Sequence, residues 1–228
     1  MYAKILEKAH SPSLTESKHY NKMNKVLKLL MSEGNGYTQE DVSTTLKISM
    51  PTVIRLMNEM VEKKLIHITG KKETDNGRRP FLYTLNQNHF YSVGVEILLK
   101  RLSITIIDIQ FKEVYSFDDK DFRLENTPES LDKVLDFIRT HIKNSGIKKE
   151  SMVGIGVSLT GRVSSMTGES YSFFNFMDQP LAYFLEEKLG SRVFVDNDSH
   201  ALAQAEMVAG KARNVKNALV VNLSRGLG

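Results

Sequence analysis

Residues 46–86 read LKISMPTVIRLMNEMVEKKLIHITGKKETDNGRRPFLYTLN. Ser49 is a good helix N-cap and Pro51 suits a first helical turn, where a missing N–H costs nothing. Val53, Leu56, Met57 and Met60 then recur at the spacing of one helical face, predicting a helix over about 50–64. Ile66–Thr69 and Phe81–Leu85 read as two strands, separated by the polar segment GKKETDNGRRP. Upstream, Thr38 caps a short helix with Asp41 three residues on, and Val42 and Leu46 form its apolar face. Residues 18–33 place Met23, Val26, Leu27 and Leu30 on one face of an earlier helix, which Gly34 and Gly36 end. Three helices followed by a β-hairpin predict a winged helix-turn-helix over 18–86, behind an N-terminal extension over 1–17.

The major groove of B-DNA admits a helix, and the second helix of a helix-turn-helix offers its N-terminal residues to base edges. The exposed candidates there are Ser49, Thr52, Arg55 and Asn58. Arg and Asn pair bidentately with guanine and adenine edges. Thr38 and Gln39 stand where a preceding helix bonds backbone phosphate, and Lys71, Lys72, Arg78 and Arg79 of the wing suit phosphate or minor-groove contact.

Downstream of Tyr91 the period changes. Ser92–Glu96, Leu102–Ile109 and Glu113–Phe122 read as consecutive strands, followed by a helix over 128–144. Then come a glycine-bearing strand Met152–Leu159, a helix over 180–189, a strand Arg192–Val195, a helix over 198–210 and a strand Asn217–Leu223. Three strands and then alternating helices and strands predict a mixed-sheet α/β domain over 90–228. The boundary falls near Asn86–Phe90.

The 228 residues are 41% hydrophobic and 25% charged, ordinary globular usage that excludes collagen-like and low-complexity classes. Zero cysteines exclude disulfides, thiolate catalysis and Cys-ligated zinc within these residues. There is no apolar run of membrane-spanning length and no secretory h-region, so the cytoplasm is the expected compartment. The net charge of +4 is uneven: residues 1–90 hold 14 Lys/Arg against 9 Asp/Glu, and residues 91–228 hold 17 against 18. A basic segment joined to a near-neutral one fits a nucleic-acid partner.

The quoted stretch, with Thr52, Val53, Gly77, Arg78 and Pro80, resembles the operator-binding domain of repressors in the ROK (repressor, ORF, kinase) family. The rest resembles the first lobe of that family's actin-like, ribonuclease H-like sugar-kinase domain. In the family the first strand carries an acidic residue and a Gly-Gly pair that admits ATP phosphates. VGVEILLKRL keeps Glu96 but has Leu98 and Leu99 at the glycine positions, which obstructs close phosphate approach. The resemblance therefore implies a fold kept without its nucleotide.

Gly154, Gly156, Thr160, Gly161 and Val163 resemble the strand and loop beneath the sugar. Asn175 in SFFNFMDQPL resembles a sugar-bonding asparagine, and Asn197 and Asp198 in DNDSHALAQAEMVAG resemble the family's Asn-Asp helix opening. Thr160, Gly161, Asn175, Asn197 and Asp198 are thus the expected effector-binding residues. Read without the resemblance, Asp198 suits a helix cap, Asn197 a turn and Asn175 a loop-backbone bond. His200 and Glu206 read as structural. The chain closes on VVNLSRGLG, resembling the start of a second phosphate loop with Arg225 in place of a threonine. The family's Glu-x-x-His motif, zinc site and second lobe would lie downstream of Gly228, so the chain resembles a C-terminally shortened member with no cofactor of its own.

The expectation is a transcriptional regulator of carbohydrate genes, of repressor type and not an enzyme. Its partners would be double-stranded operator DNA and a sugar or sugar derivative. A homodimer or higher homo-oligomer would read half-sites about 34–36 Å apart or a multiple of that spacing. Two alternatives stay open: an ATP-dependent sugar kinase with an appended DNA-binding domain, and a regulator whose second domain docks a protein partner.

Overall fold

A computed structural model describes residues 14–32, 36–73, 79–86, 89–213 and 215–222. The chain divides into two compact units, Met1–Phe90 and Tyr91–Gly228.

The first unit is three helices and a hairpin: α1 (Leu14–Ser32), α2 (Gln39–Leu46), α3 (Met50–Glu62), β1 (Ile66–Lys71) and β2 (Phe81–Leu85). Met23, Val26, Leu27 and Leu30 of α1 are buried, as the spacing predicts. At α2 the Thr38 hydroxyl accepts from the Asp41 amide at 3.1 Å, and the Asp41 carboxylate accepts from the Thr38 amide at 2.9 Å. This reciprocal box satisfies two orphan donors of the helix start. Only Lys47–Ser49 separates α2 from α3. Lys47 takes the left-handed conformation there, φ 53°, that glycine more often supplies. The Ser43 hydroxyl donates to the Ile48 carbonyl at 2.7 Å and holds the turn.

Val53, Leu56, Met57 and Met60 of α3 are fully buried, each contributing about 1.5–3 kcal/mol of hydrophobic stabilisation. β1 and β2 pair antiparallel from Ile66↔Leu85 to Lys71↔Phe81, with a register shift between Ile68 and Gly70. Tyr37 adds a bridge that the sequence pattern does not announce: its amide donates to the Tyr83 carbonyl at 3.0 Å and its carbonyl accepts from the Tyr83 amide at 2.9 Å. Gly36 makes the approach possible, since a Cβ there would meet Thr84 Cγ2 at 2.9 Å.

The second unit is built on a five-stranded mixed sheet in the order β5-β4-β3-β6-β9. Its strands are β3 (Tyr91–Leu98), β4 (Arg101–Asp108), β5 (Glu113–Asp119), β6 (Met152–Leu159) and β9 (Val193–Asn197). β3 to β5 run antiparallel, while β6 and β9 run parallel to β3. Val93, Val95, Ile97, Ile104, Ile155 and Val195 point to one core, which α4 (Pro128–Asn144) and α5 (Leu181–Leu189) also fill. Thr127 caps α4, its hydroxyl accepting from the Ser130 amide at 3.2 Å. A short hairpin, β7 (Val163–Ser164) with β8 (Glu169–Ser170), follows β6, and α6 (Asp198–Val208) follows β9.

The strand expected over 217–223 is not formed. Residues 215–222 are irregular, and Leu223 lies outside the described residues. An apolar run becomes a strand only when a partner supplies the ladder, and no described strand pairs with this stretch.

Candidate functional site

Two surfaces gather the candidate residues, one in each unit. In the first, Arg55 and Asn58 are exposed on α3, opposite its buried stripe. Neither makes a hydrogen bond or ion pair with another described residue. Thr52 is half-buried, and its hydroxyl lies 2.9 Å from the Ser49 hydroxyl. Ser49 starts α3 through its carbonyl, which accepts from the Thr52 and Val53 amides at 2.9 and 3.0 Å, and not through a side-chain cap.

Thr38 requires a correction. It is 2% exposed, and both its amide and its hydroxyl are engaged with Asp41. It fixes the start of α2 and has no hydroxyl to offer a phosphate. Gln39 is directed toward the hairpin, donating to the Tyr83 hydroxyl at 3.3 Å. Lys72 lies 3.1 Å from Asp41 in an ion pair across the unit. Burial pushes the Asp41 carboxyl up, but bonds from Thr38 and Lys72 outweigh that and hold it below the usual carboxylate range. Lys71 sits 5.4 Å from the Phe81 ring centre, and Arg79 is exposed. Gly77 and Arg78 lie outside the described residues.

In the second unit the candidates collect beyond the C-terminal ends of β6 and β9. The Thr160 amide donates to the Ile97 carbonyl at 3.1 Å, tying this loop to the end of β3. Gly161 has φ +97°, and a Cβ there would fall 2.6 Å from Ser172 Cβ, so both its conformation and its space require glycine. The Gly161 carbonyl accepts from Asn197 Nδ2 at 2.8 Å.

Asn197 is the N-cap of α6, its Oδ1 accepting from the Ser199 and His200 amides at 2.9 and 3.2 Å. An amide oxygen accepts two bonds and an NH₂ donates two. Asn197 therefore caps α6, braces Gly161 and keeps one N–H for a ligand. Asp198 Oδ1 accepts from the Ser199 amide at 2.8 Å, while Oδ2 has no hydrogen bond with a described residue.

Asn175 is exposed but already committed in part: its Oδ1 accepts from Asn126 Nδ2 at 2.7 Å and its Nδ2 donates to the Tyr171 carbonyl at 3.0 Å. One N–H and one lone pair remain. The Tyr171 amide in turn donates to the Arg162 carbonyl at 2.9 Å, joining this loop to Gly161 through the chain. Asn126, some fifty residues upstream, carried no local signal of this role.

Glu96 is not a free acid. It forms an ion pair with Arg101 across the β3–β4 turn. Leu98 ends β3 and Leu99 stands 40% exposed in the turn, its carbonyl accepting from the Leu124 amide at 3.1 Å.

Compared with known proteins, residues 92–228 match the model of the ROK family, and residues 15–113 match a model described as the TFIIE alpha subunit. The xylose repressor of Bacillus spizizenii is 26% identical over 207 residues, covering 88% of this chain and 53% of that protein. A glucokinase of Streptomyces coelicolor is 27% identical over 104 residues, 45% of this chain and 32% of its own. The crystal structure of a ROK family transcriptional regulator, described as a homologue of the E. coli Mlc protein, superposes with a TM-score of 0.74. It is 21% identical, with 92% of this chain and 54% of that one covered, and it shows a shared fold. The chain thus spans about half the length of the curated relatives it matches along most of its length. The match over 92–228, more than half of the residues, places this chain in the ROK family.

Proposed function

We propose that this chain carries the DNA-reading and effector-sensing parts of a sugar-responsive transcriptional regulator. The observation that carries the reading is α3: one face wholly buried, the other presenting Arg55 and Asn58 unbonded to any described residue. A helix so divided, behind a three-residue turn and ahead of a basic hairpin, fits a winged helix-turn-helix with α3 in the major groove. Arg55 and Asn58 would read base edges, with Thr52 beside them. Lys71, Lys72 and Arg79 would meet phosphate, together with Arg78, and Gln39 would flank them.

In the second unit, Asp198 Oδ2 offers a charged acceptor for a sugar hydroxyl beside the Gly161–Asn197 contact and the Thr160 loop. Asn175 contributes its remaining N–H and lone pair. Leu98 and Leu99 stand at the positions where the family resemblance puts a phosphate-admitting glycine pair, and their branched side chains support a regulator over a kinase. The xylose repressor covers 88% of the chain, across both units, and supports the same reading.

The test uses the full-length protein and a duplex selected by it from a random-sequence pool. Adding a panel of sugars should shift the duplex affinity for at least one of them, while a coupled assay shows no sugar-dependent ATP hydrolysis. Coupling of this kind requires a sugar that binds two states unequally. The glucokinase match favours the second reading, a kinase, and turnover of ATP with any sugar of the panel would establish it.

A further inference from the structure

Lys18 and Lys22 stand one turn apart on α1 and line an open groove of about 490 Å³ whose opposite wall is Thr52, Arg55 and Glu59 of α3. The groove has a built frame: His19 Nε2 lies 2.9 Å from Glu59 Oε2, pinning the start of α1 to α3. Glu59 is also ion-paired with Lys63, so the one carboxylate among the groove's described lining residues is already committed to two partners. Lys18, Lys22 and Arg55 have no ion pair with any described residue. Like charges four apart on a helix repel one another, so this pair weakens α1 unless an anion lies against it.

We propose that this groove binds the sugar-phosphate backbone of duplex DNA, with Lys18 and Lys22 gripping phosphates beside the groove that α3 enters. The inference rests on α3 being the reading helix. It adds a second element, α1, that contacts DNA without reading sequence. A polyanion whose phosphates recur along a strand matches two lysines one turn apart across a groove from α3, and the His19–Glu59 contact acts as the positioning bond that keeps them there. Lys18 and Lys22 add charge and register, while Arg55, at the groove's inner wall, is shared between phosphate-lined space and base edges.

The experiment is a salt titration of duplex affinity with the full-length protein, its selected duplex and a scrambled one. K18Q/K22Q should weaken both duplexes by the same factor and make the negative slope of log affinity against log salt shallower by about 1.8, at about 0.9 per phosphate contact. K18R/K22R should restore the wild-type slope, which separates lost charge from a disturbed fold. An unchanged slope in a K18Q/K22Q protein that unfolds at the wild-type temperature overturns the proposal and leaves α3 as the reading helix. A loss confined to the selected duplex overturns it too, because that is the mark of base contact. Failure of the wild-type protein to bind any duplex overturns both this inference and the reading beneath it.

Discussion

Arg55 and Asn58 on α3 reach solvent with no bonded partner among the described residues, whereas the loops beyond β6 and β9 bond chiefly to one another. There, Gly161 is held by Asn197, Asn197 caps α6, and Asn175 is held by Asn126 and Tyr171. On the proposed function, the difference follows from what each surface would take. A polyanion outside the protein is met by side chains left free to move, because its charge and counterion release supply the affinity. A small neutral ligand offers only a few hydroxyls, so its site has to be rigid before it arrives, with a few groups left open. On the proposed reading, Asp198 Oδ2 and the spare N–H groups of Asn175 and Asn197 are the groups left open for a sugar.

The largest effect is expected at Gly161. Gly161→Ala should cost the second unit about 3 kcal/mol, since left-handed backbone at a non-glycine is strained and Ser172 blocks the Cβ. Thermal unfolding followed by circular dichroism measures it, and sugar binding should fall with it. A variant of wild-type stability would mean that the loop is not rigid. Next is Asp198→Asn, for which calorimetry should show sugar affinity weakened by about 1.5–3 kcal/mol, the range for a bond to a charged group. Sugar-free DNA binding should stay as it was. Equal losses of both would place Asp198 in the architecture of the unit and not at an opening in it.

On the other side of the comparison, Arg55→Ala should cost about 1–3 kcal/mol on the selected duplex and relax preference at one base pair. Equal weakening on a scrambled duplex would assign Arg55 to phosphate alone. The smallest effect concerns Asp41, which bonds from Thr38 and Lys72 hold in place. Its folded pKa lies below its unfolded one, so its stabilisation is present above about pH 4 and is lost as pH falls through the folded value. Acid unfolding should therefore begin earlier in the wild type than its neutral stability suggests, and Asp41→Asn should flatten that dependence. A slope of opposite sign would show that burial, which raises the pKa, outweighs Thr38 and Lys72.

Much of the fold is legible in short windows of sequence. The stripe Val53–Leu56–Met57–Met60 predicts the buried side of α3, and the Thr38–Asp41 spacing predicts its box. Pro128 announces α4 over the residues the structure shows, and Met152–Leu159 is a strand from end to end. Each of these rests on contacts within about one helical turn or one strand pleat, where chemistry and spacing are written together. The candidate sites are legible in kind but not in role. The spacing that singles out Thr38 and Asn197 as polar residues at helix starts cannot say whether a phosphate, a sugar or the helix itself takes their bonds.

Local sequence therefore dictates the elements, their buried faces and the residues free to do chemistry. Only the tertiary structure decides which distant groups meet. Tyr37 bridges Tyr83, Asn126 holds Asn175, Asn197 reaches Gly161 and Lys18 comes beside Arg55, each across a separation that no periodicity spans. The same reason leaves 217–222 irregular despite its apolar run. Propensity and periodicity are properties of a segment, but a hydrogen-bond ladder, a capped loop or a cationic groove is completed by a partner elsewhere in the chain.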